Sequence, residues 1–216
     1  RLLLEASAAI NQADGEGTTP LYIACEKGHL EVVSTLLDAG AAVNQARTDD
    51  GATPLFIACG IGHVDIVSKL ISAGAVAEQA RNDGVTPLII ATQWGRAEVV
   101  AALCSAGAAV NQSFQGATAM RHACKFGHIR CVHVLSSFGA TRRADAQARA
   151  AARGHHDIAT WLATSRQWST PLHHLSVIGA ERARALLRDG ADLHARADAA
   201  GPTPLSLARA LRATGD

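Results

Sequence analysis

The sequence predicts a stacked-repeat protein built from helices, because short phrases recur along it at a nearly fixed interval. The tripeptide Thr-Pro-Leu, or its altered copy Thr118-Ala119-Met120, occurs at successive steps of 34, 33, 32, 52 and 33 residues. A period in this range is typical of solenoids, in which each unit packs only on its neighbours. Such repeats form a surface rather than a pocket, which predicts function by binding another macromolecule. The intact copies begin at Thr19, Thr53, Thr86, Thr170 and Thr203.

Each copy of the phrase predicts the start of a first helix. Proline suits the first helical position because it has no N–H to leave unpaired. The preceding threonine can cap the helix by accepting a backbone N–H. A glycine, Gly28 in the first full unit, then predicts the helix end, where a left-handed residue is expected. Histidine usually follows this glycine, and Gly95-Arg96 is the variant.

Apolar doublets predict a second helix in each unit. The doublets Val32-Val33 and Leu36-Leu37 are three or four residues apart, so one stripe of the helix is apolar. A second glycine closes each unit, and it is expected to end the second helix in the same left-handed conformation. These closing residues are Gly40, Gly74, Gly107, Gly139 and Gly190.

The unit from Gly17 to Asn44 resembles the ankyrin repeat family nearly throughout. The family pattern reads roughly Gly-x-Thr-Pro-Leu-His-x-Ala-Ala-x-x-Gly-His, followed by an apolar helix and Gly-Ala-Asp-Val-Asn. The resemblance covers essentially the whole chain. It implies an all-α ankyrin-repeat solenoid of stacked antiparallel helix pairs with short hairpin fingers, in which one repeat in the middle is degenerate.

Four regular ankyrin repeats are expected over residues 12–140. Residues 1–11 align with the end of a second helix, so they are expected to be the remnant of a preceding repeat, and Arg1 is not expected to be the native beginning. The C-terminal ankyrin repeats are expected over residues 169–216, and the last one is partial.

A degenerate repeat and a seam are expected over residues 141–168. The finger between Gly139 and Asp145 is missing, and Asp145 is the expected cap of an alanine-rich helix. The following junction carries Trp161 and Trp168 and lacks the usual glycine ending. It is interpreted as a seam where the stacking angle changes, and an insertion site for a partner is the alternative.

Composition argues against a nucleic-acid-binding protein and against a membrane-spanning one. The formal net charge of +1 does not suggest wholesale nucleic-acid binding, and no apolar stretch is long enough for a transmembrane span. Residues 1–140 hold 9 Lys+Arg and 12 Asp+Glu, whereas residues 141–216 hold 11 and 7. The basic residues of the later part are all arginine, which indicates either a partner-facing basic end or an ordinary solvated face.

The five cysteines indicate an intracellular, reducing compartment, either cytoplasmic or nuclear. Cys25, Cys59 and Cys124 occupy the same position of three repeats, where the family has alanine, and Cys104 and Cys131 fall on apolar positions of second helices. Small buried thiols are normal core residues. No Cys-x-x-Cys pair is present, so reduced thiols and no zinc are expected.

The family's histidine after Thr-Pro-Leu is retained at His173 alone, and other units carry Tyr22, Phe56, Ile89 and Arg121 in its place. In the family this histidine ties neighbouring fingers through hydrogen bonds. Apolar packing is therefore expected to fix the fingers here, with Tyr22 and Phe56 as half-buried structural residues.

The resemblance also implies where a partner would bind, since ankyrin proteins generally use the finger tips and the exposed side of the first helix. One column of that side holds Lys27, Ile61, Trp94 and Phe126. Exposed apolar residues usually mark a binding surface, and tryptophan is enriched among binding anchors. We expect Trp94 and Phe126 to anchor a partner segment, and the alternative is that they pack on neighbouring fingers. The predicted partner-binding residues are Glu26, Lys27, Asp49, Asp50, Ile61, Asn82, Asp83, Trp94, Phe114, Lys125 and Phe126.

Ten histidines do not predict catalysis, because four of them, His29, His63, His128 and His155, belong to the repeated Gly-His step. His155-His156-Asp157 could resemble a metal cluster, but Asp157 stands where other units place an acid to favour a helix dipole. No phosphate-cradling loop or nucleophile motif is present. The sequence therefore predicts no enzyme activity, no cofactor and no metal, with nucleic acid an improbable partner.

The leading interpretation is a protein-interaction module that holds another protein on the concave face of the solenoid. One alternative is a permanent structural subunit or scaffold of a larger assembly. Another is the targeting domain of a multidomain enzyme such as a ubiquitin ligase.

Overall fold

A computed structural model describes residues 9–141, 146–165, 171–174, 180–195 and 202–214. The chain divides into two compact units, Arg1–Gly116 and Ala117–Asp216. Each unit is described by itself below.

The described part of unit 1, from residue 9 onwards, contains three helix pairs, as the recurring phrases predict. Within each pair the first helix packs on the second, and the first helices also pack on one another in a row, as do the second helices. The helices are α1 (Pro20–Lys27), α2 (Leu30–Asp38), α3 (Pro54–Ile61), α4 (Val64–Ser72), α5 (Pro87–Gln93) and α6 (Ala97–Ser105).

The predicted helix boundaries are confirmed. The Thr53 hydroxyl accepts a hydrogen bond from the backbone N–H of Phe56 at 3.1 Å, and the same cap recurs at the other first helices of the unit. Gly28 ends α1 with φ of 76°, and Gly40 follows α2 with φ of 89°. Both glycines therefore take the left-handed conformation that their positions predict.

Small residues line the contact between neighbouring first helices. Ala24, Ala58 and Ala91 are buried, which lets the helix backbones approach closely. All five cysteines lie among the described residues, are buried, and form no disulfide. Burial raises the pKa of the Cys25 thiol to about 12, so this side chain packs as a neutral hydrophobe.

An apolar cluster fixes the fingers to the helices in unit 1. It contains Tyr22, Ala52, Phe56, Val85 and Ile89, all of them buried. The expectation of apolar packing in place of the family's histidine is confirmed. The expected half-burial of the two aromatic residues is wrong, because Tyr22 is only 6% exposed and Phe56 only 5%. The next finger covers each ring more completely than the residue types alone indicate.

The Gly-His step forms a contact between successive repeats, which we call the joint. A Cβ built on Gly28 would lie 2.7 Å from Cε1 of His63, so the imidazole of one repeat sits directly on the glycine of the previous one. Arg96 replaces the histidine at the next joint, where it covers Gly62 and donates from Nε to the carbonyl of Gly60 at 3.2 Å. These side chains therefore fill the contact between one repeat and the next.

Fingers of unit 1 are also joined to one another through the backbone. The N–H of Thr48 donates to the carbonyl of Glu16 at 2.9 Å, and the N–H of Asn82 donates to the carbonyl of Asp50 at 2.8 Å. The last finger of unit 1 contains a short strand, β1 (Ser113–Phe114), and unit 2 begins with another, β2 (Ala117–Thr118). Otherwise the described residues are mainly helical, and the predicted all-α class with short hairpin fingers is confirmed.

Unit 2 repeats the same pairing of first and second helices. The element α7 packs on α8, α9 packs on α10, and α7 also packs on α9. Its elements are α7 (Ala119–Phe126), α8 (Ile129–Ser137), α9 (Ala146–Ala152), α10 (His156–Thr164), a 3-10 turn (Pro171–His174), α11 (Ala180–Arg188) and α12 (Pro204–Thr214).

His173, the residue that keeps the family's histidine, is buried and ties two segments of unit 2 together. Its Nε2 lies 3.0 Å from the carbonyl oxygen of Pro202, to which it can only donate. The proposed cap Asp145, Trp168 and most of the 1–11 remnant lie outside the described residues. The predicted domain boundaries stay predictions.

Candidate functional site

The finger tips of unit 1 are held by arginines that sequence reasoning missed. The guanidinium of Arg47 lies over the Tyr22 ring at 5.5 Å from its centroid, and it bridges to Glu16 of the preceding finger at 2.8 Å. Arg47 also pairs with Asp49 of its own finger, with Nε 2.9 Å from Oδ1. Arg81 repeats the arrangement over Phe56 at 5.3 Å. Each arginine therefore covers the aromatic residue that replaces the family's histidine.

The predicted binding residues Asp49 and Asp83 are the acids of these ion pairs. The hydrogen bond from Arg47 lowers the pKa of the Asp49 carboxyl to about 2. Arg81 donates to Asp83 at 3.1 Å and lowers its pKa in the same way. Both carboxylates thus remain ionised at neutral pH, and a partner would meet an ion pair rather than a lone negative charge.

Three other predicted residues at the fingers take part in their local structure. Asp50 accepts the N–H of Ala52 at 2.9 Å, and Asn82 packs against Gly51. Phe114 is partly buried against the apolar finger cluster. These residues shape the fingers, and only part of each side chain is exposed to a partner at the surface.

An open apolar groove lies beside the finger cluster, between the ends of α3 and α5. Its volume is about 560 Å³. Gly60 keeps the groove wide, since a Cβ there would lie 3.3 Å from Cγ1 of Ile90. We call this surface the apolar groove, and it is lined by Phe56, Ile57, Gly60, Ile61, Arg81, Val85, Ile90, Gln93, Trp94 and Arg96.

Trp94 is the most exposed large apolar side chain of the groove, at 58%. Its backbone caps α5, because its N–H donates to the carbonyl of Ile90 at 3.1 Å. Ile61, the preceding member of the predicted column, is half-buried in the groove wall. Lys27, the first member, is exposed and pairs with Glu26 at 3.0 Å. The groove therefore brings Ile61 and Trp94 together, and their role in partner binding stays a prediction.

The remaining predicted residues, Lys125 and Phe126, lie in unit 2. Phe126 is 37% exposed, and Nζ of Lys125 lies 4.8 Å from its ring centroid. The ring also stacks with His122 and His128, at centroid distances of 5.9 and 6.4 Å. An exposed aromatic surface with a cation beside it is thus present at the end of α7.

Close to Lys125, unit 2 contains a second cavity that sequence reasoning missed. Its volume is about 150 Å³. The counted excess of arginine after residue 140 was a signal for it, but that count could not show which arginines come together. We call this cavity the basic pocket, and it is lined by Thr118, Met120, Arg121, Cys124, Lys125, Thr141, Ala146, Arg149 and Arg153.

Two histidines of unit 2, His122 and His133, are half-buried, and one ring nitrogen of each has no hydrogen-bond partner among the described residues. Burial lowers the pKa of both His122 and His133, which favours the neutral ring. The His133 ring packs at 4.7 Å from Trp161. Within the described part of the chain, no group of three or more potential ligands could hold a metal ion. None of the helices in the same part is long and apolar enough to cross a bilayer.

Family models agree with the architecture. Models described as ankyrin repeats in three copies match residues 42–114 and 74–150, and one described as ankyrin repeats in many copies matches residues 3–58. These ranges together cover more than half of the chain.

Similarity to individual curated proteins is local. The chain is 49% identical over 41 residues to the E3 ubiquitin-protein ligase XBAT32 of Arabidopsis thaliana, which covers 19% of this chain and 8% of that protein. It is 54% identical over 37 residues to ankyrin repeat domain-containing protein 63 of Homo sapiens, and equally to that of Mus musculus. Those matches cover 17% of this chain and 10% of the relatives, so the chain spans a tenth or less of their length.

Proposed function

This chain belongs to the ankyrin repeat family, whose repeats are protein-interaction modules, and from that premise we propose that it binds an apolar segment of a partner protein in the apolar groove of unit 1. The groove contains Ile61 and Trp94, two members of the column that the family resemblance implies for partner binding. The family is generally non-catalytic, and the groove offers shape and apolar surface rather than reactive groups.

The observation that carries the proposal is the exposure of Trp94 beside an apolar groove floor. A tryptophan that is 58% exposed leaves a large apolar area in water. Burying that area against a partner is favourable at about 25 cal/mol per Å². Ile57 and Ile90 line the same groove, so a partner side chain placed there would contact apolar atoms on more than one side. Tryptophan in such a position is the usual anchor of an interface.

The experiment identifies a partner by proximity labelling and mass spectrometry, and then measures its affinity for purified protein by calorimetry. Trp94→Ala is expected to weaken binding at least about tenfold, since an interface anchor contributes about 2 kcal/mol or more. Val32→Ala is the matched control, because Val32 is also an exposed apolar residue, at 47%, but lies on α2 away from the groove. Unchanged affinity of the Trp94→Ala protein would refute the proposal.

The alternative of a permanent structural subunit makes a different prediction in solution. A chain that is soluble and monomeric on its own supports reversible recognition, whereas one that aggregates unless co-expressed with a partner supports a permanent subunit. A further alternative is that the chain is the targeting domain of a multidomain enzyme such as a ubiquitin ligase. The similarity to a ubiquitin ligase does not favour this alternative, because an ankyrin repeat domain-containing protein matches over a stretch of similar length.

A further inference from the structure

The joint between the second and third helix pairs of unit 1 carries an arginine at the apolar groove. At the preceding joint the imidazole of His63 packs on Gly28. Arg96 takes the place of that histidine, and its Cδ lies 2.7 Å from the position of a Cβ built on Gly62. The arginine therefore fills the same contact as the histidine, and it also lines the groove.

The contact at the joint uses only one of the hydrogen-bond donors of this arginine. In unit 2, Nε2 of the joint histidine His155 lies 3.2 Å from the carbonyl oxygen of Lys125. In unit 1, Nε of Arg96 donates to the carbonyl of Gly60, the equivalent residue, at 3.2 Å. The arginine thus reproduces the contact of the histidine through Nε. Its two terminal nitrogens, Nη1 and Nη2, carry the remaining donors, and they have no acceptor among the described residues.

The two ends of the groove differ in how their positive charges are balanced. Its lining contains two arginines and no aspartate or glutamate, and every lining residue lies among the described ones. At the finger end, Nε of Arg81 donates to Asp83 at 3.1 Å. At the joint end, Arg96 has no counter-ion in the described part of the chain. A partner that covers the groove would take water away from this guanidinium, which is unfavourable unless the partner supplies an anion.

The geometry favours the carboxylate of an aspartate or glutamate side chain as that anion. The terminal edge of a guanidinium carries two parallel N–H donors, which match the two oxygens of one carboxylate. Phosphorylated motifs are recognised by clusters of arginines, whereas this lining offers a single arginine without a counter-ion. A C-terminal carboxylate is captured by free backbone N–H groups, and those of residues 94–97 all donate to carbonyls of their own repeat.

Apolar residues lie close to Arg96 on both helices that border the groove. Trp94 directly follows α5, and Ile61 ends α3, next to the glycine on which Arg96 packs. The two helices pack on each other, and packed helices lie about 8–10 Å apart. About three residues of an extended chain span that distance. One short extended segment can therefore place an apolar side chain on Trp94 and a carboxylate at Arg96.

We propose that the partner segment bound in the apolar groove carries an aspartate or glutamate whose carboxylate pairs with Arg96, about three residues from the apolar side chain that packs on Trp94. This inference rests on the proposed function of the groove and adds the charge of the segment that the groove accepts. Arg96 selects acidic segments over basic ones, because a basic side chain at the same place would meet an unpaired like charge.

The first experiment selects peptides from a random phage-displayed library on the immobilised 216-residue chain, at about pH 8, and sequences the selected pool. We expect enrichment of large apolar residues and, about three positions away, of aspartate and glutamate. Arg96→His is expected to keep the apolar enrichment and lose the acidic one, because histidine fills this joint elsewhere and is neutral at that pH. Lys69→Gln is the matched control, since it removes one positive charge from α4, outside the groove, and should select the same peptides as the parent chain.

The second experiment measures the affinity of the most enriched peptide by calorimetry and needs no variant of the protein. Replacing its acidic residue by the corresponding amide is expected to weaken binding to the parent chain about tenfold, the usual effect of losing a hydrogen bond between charged groups. The Arg96→His protein is expected to bind the acidic and amide peptides equally. Urea denaturation checks that Arg96→His is folded and as stable as the parent chain.

The outcomes separate this inference from the proposed function. Apolar enrichment that depends on Trp94, without acidic enrichment or with acidic enrichment that survives Arg96→His, would overturn the inference and leave the groove as the binding site. A pool that does not change in Trp94→Ala, or no selected peptide at all, would overturn both. Loss of binding when the peptide's C-terminus is amidated would assign the carboxylate to a chain end, and tighter binding with phosphoserine at the acidic position would assign the site to a phosphate; either result would overturn the inference.

Discussion

The close contact between fingers in unit 1 can be measured by substituting one glycine. Gly17 is buried and has φ of 82°, and a Cβ added there would lie 2.5 Å from the backbone nitrogen of Thr48. A backbone atom cannot rotate away as a side chain can. Gly40 is the matched control, because its φ is 89° and a Cβ there would meet no atom within 4 Å.

The two substitutions separate backbone strain from finger contact. Both alanines would have to adopt the left-handed conformation, which costs about 1–2 kcal/mol. In Gly17→Ala the fingers must also separate by about 0.9 Å, from 2.5 Å to an ordinary contact of 3.4 Å. That movement weakens the hydrogen bond from Thr48 to Glu16, which contributes about 1 kcal/mol. We expect losses of about 2–3 kcal/mol for Gly17→Ala and about 1–2 kcal/mol for Gly40→Ala.

Urea denaturation followed by circular dichroism measures the free energy of unfolding for both variants and the parent chain. Native-state hydrogen exchange of the Thr48 amide gives a local measure that does not require two-state unfolding. Its protection is expected to fall in Gly17→Ala and to change little in Gly40→Ala. If the two variants were equally stable and equally protected at Thr48, the finger contact would contribute nothing, and the reasoning would be wrong.

Three further predictions concern single side chains of unit 1. Thr53→Ala removes the cap of α3 and is expected to destabilise the protein by about 1 kcal/mol in urea denaturation, whereas Thr53→Ser keeps the hydroxyl and should not. Phe56→Ala is expected to cost about 3–5 kcal/mol because the ring is buried, and Trp94→Ala less than about 1 kcal/mol because it is exposed; similar losses would contradict the assigned burial. The depressed pKa of Asp49 means that its ion pair contributes stability above its ordinary pKa of 3.8, and that this contribution is lost as the pH falls through about 2. Carboxyl carbon NMR titration should show a midpoint near 2 that rises towards 3.8 in Arg47→Gln, and an unchanged midpoint would exclude Arg47 as the cause.

The helix boundaries could be predicted from the sequence because each depends on a few neighbouring residues. Thr53 caps the helix that begins at the next residue, and Gly28 ends α1 through its own backbone conformation. Neither requires knowledge of another repeat. The exposure of Trp94 could likewise be predicted, because the family resemblance implies that its position lies on the exposed side of the first helix.

The role of the finger arginines could not be predicted from one repeat, because it depends on the next. Arg47 and Arg81 each precede a Thr-Pro-Leu phrase, and this recurrence is visible in the sequence. What they do is decided by the Tyr22 and Phe56 rings of the preceding repeat, over which they lie. The same cause explains why these two rings are buried more completely than expected. The residue types indicated that Tyr22 and Phe56 pack through apolar contacts. They did not indicate that the neighbouring finger buries both rings almost completely.

The basic pocket escaped prediction for a related reason. The short connection after Gly139 was recognised as a missing finger, and Arg121 was recognised as a departure from the family pattern. That Arg121 lines the same cavity as Arg149 and Arg153 follows only from how α7 and α9 pack. Charge counted along the chain does not show which cations share a cavity.

The joints between repeats bear on how such a chain can change in length during evolution. The imidazole of His63 packs on Gly28, and the guanidinium of Arg96 packs on Gly62 in the equivalent place. The glycine is constant while its occupant differs, so the fit does not depend on which repeat follows. An in-frame duplication or deletion of one whole repeat would therefore bring together two surfaces that already match, and the array could grow or shrink without redesign of its contacts.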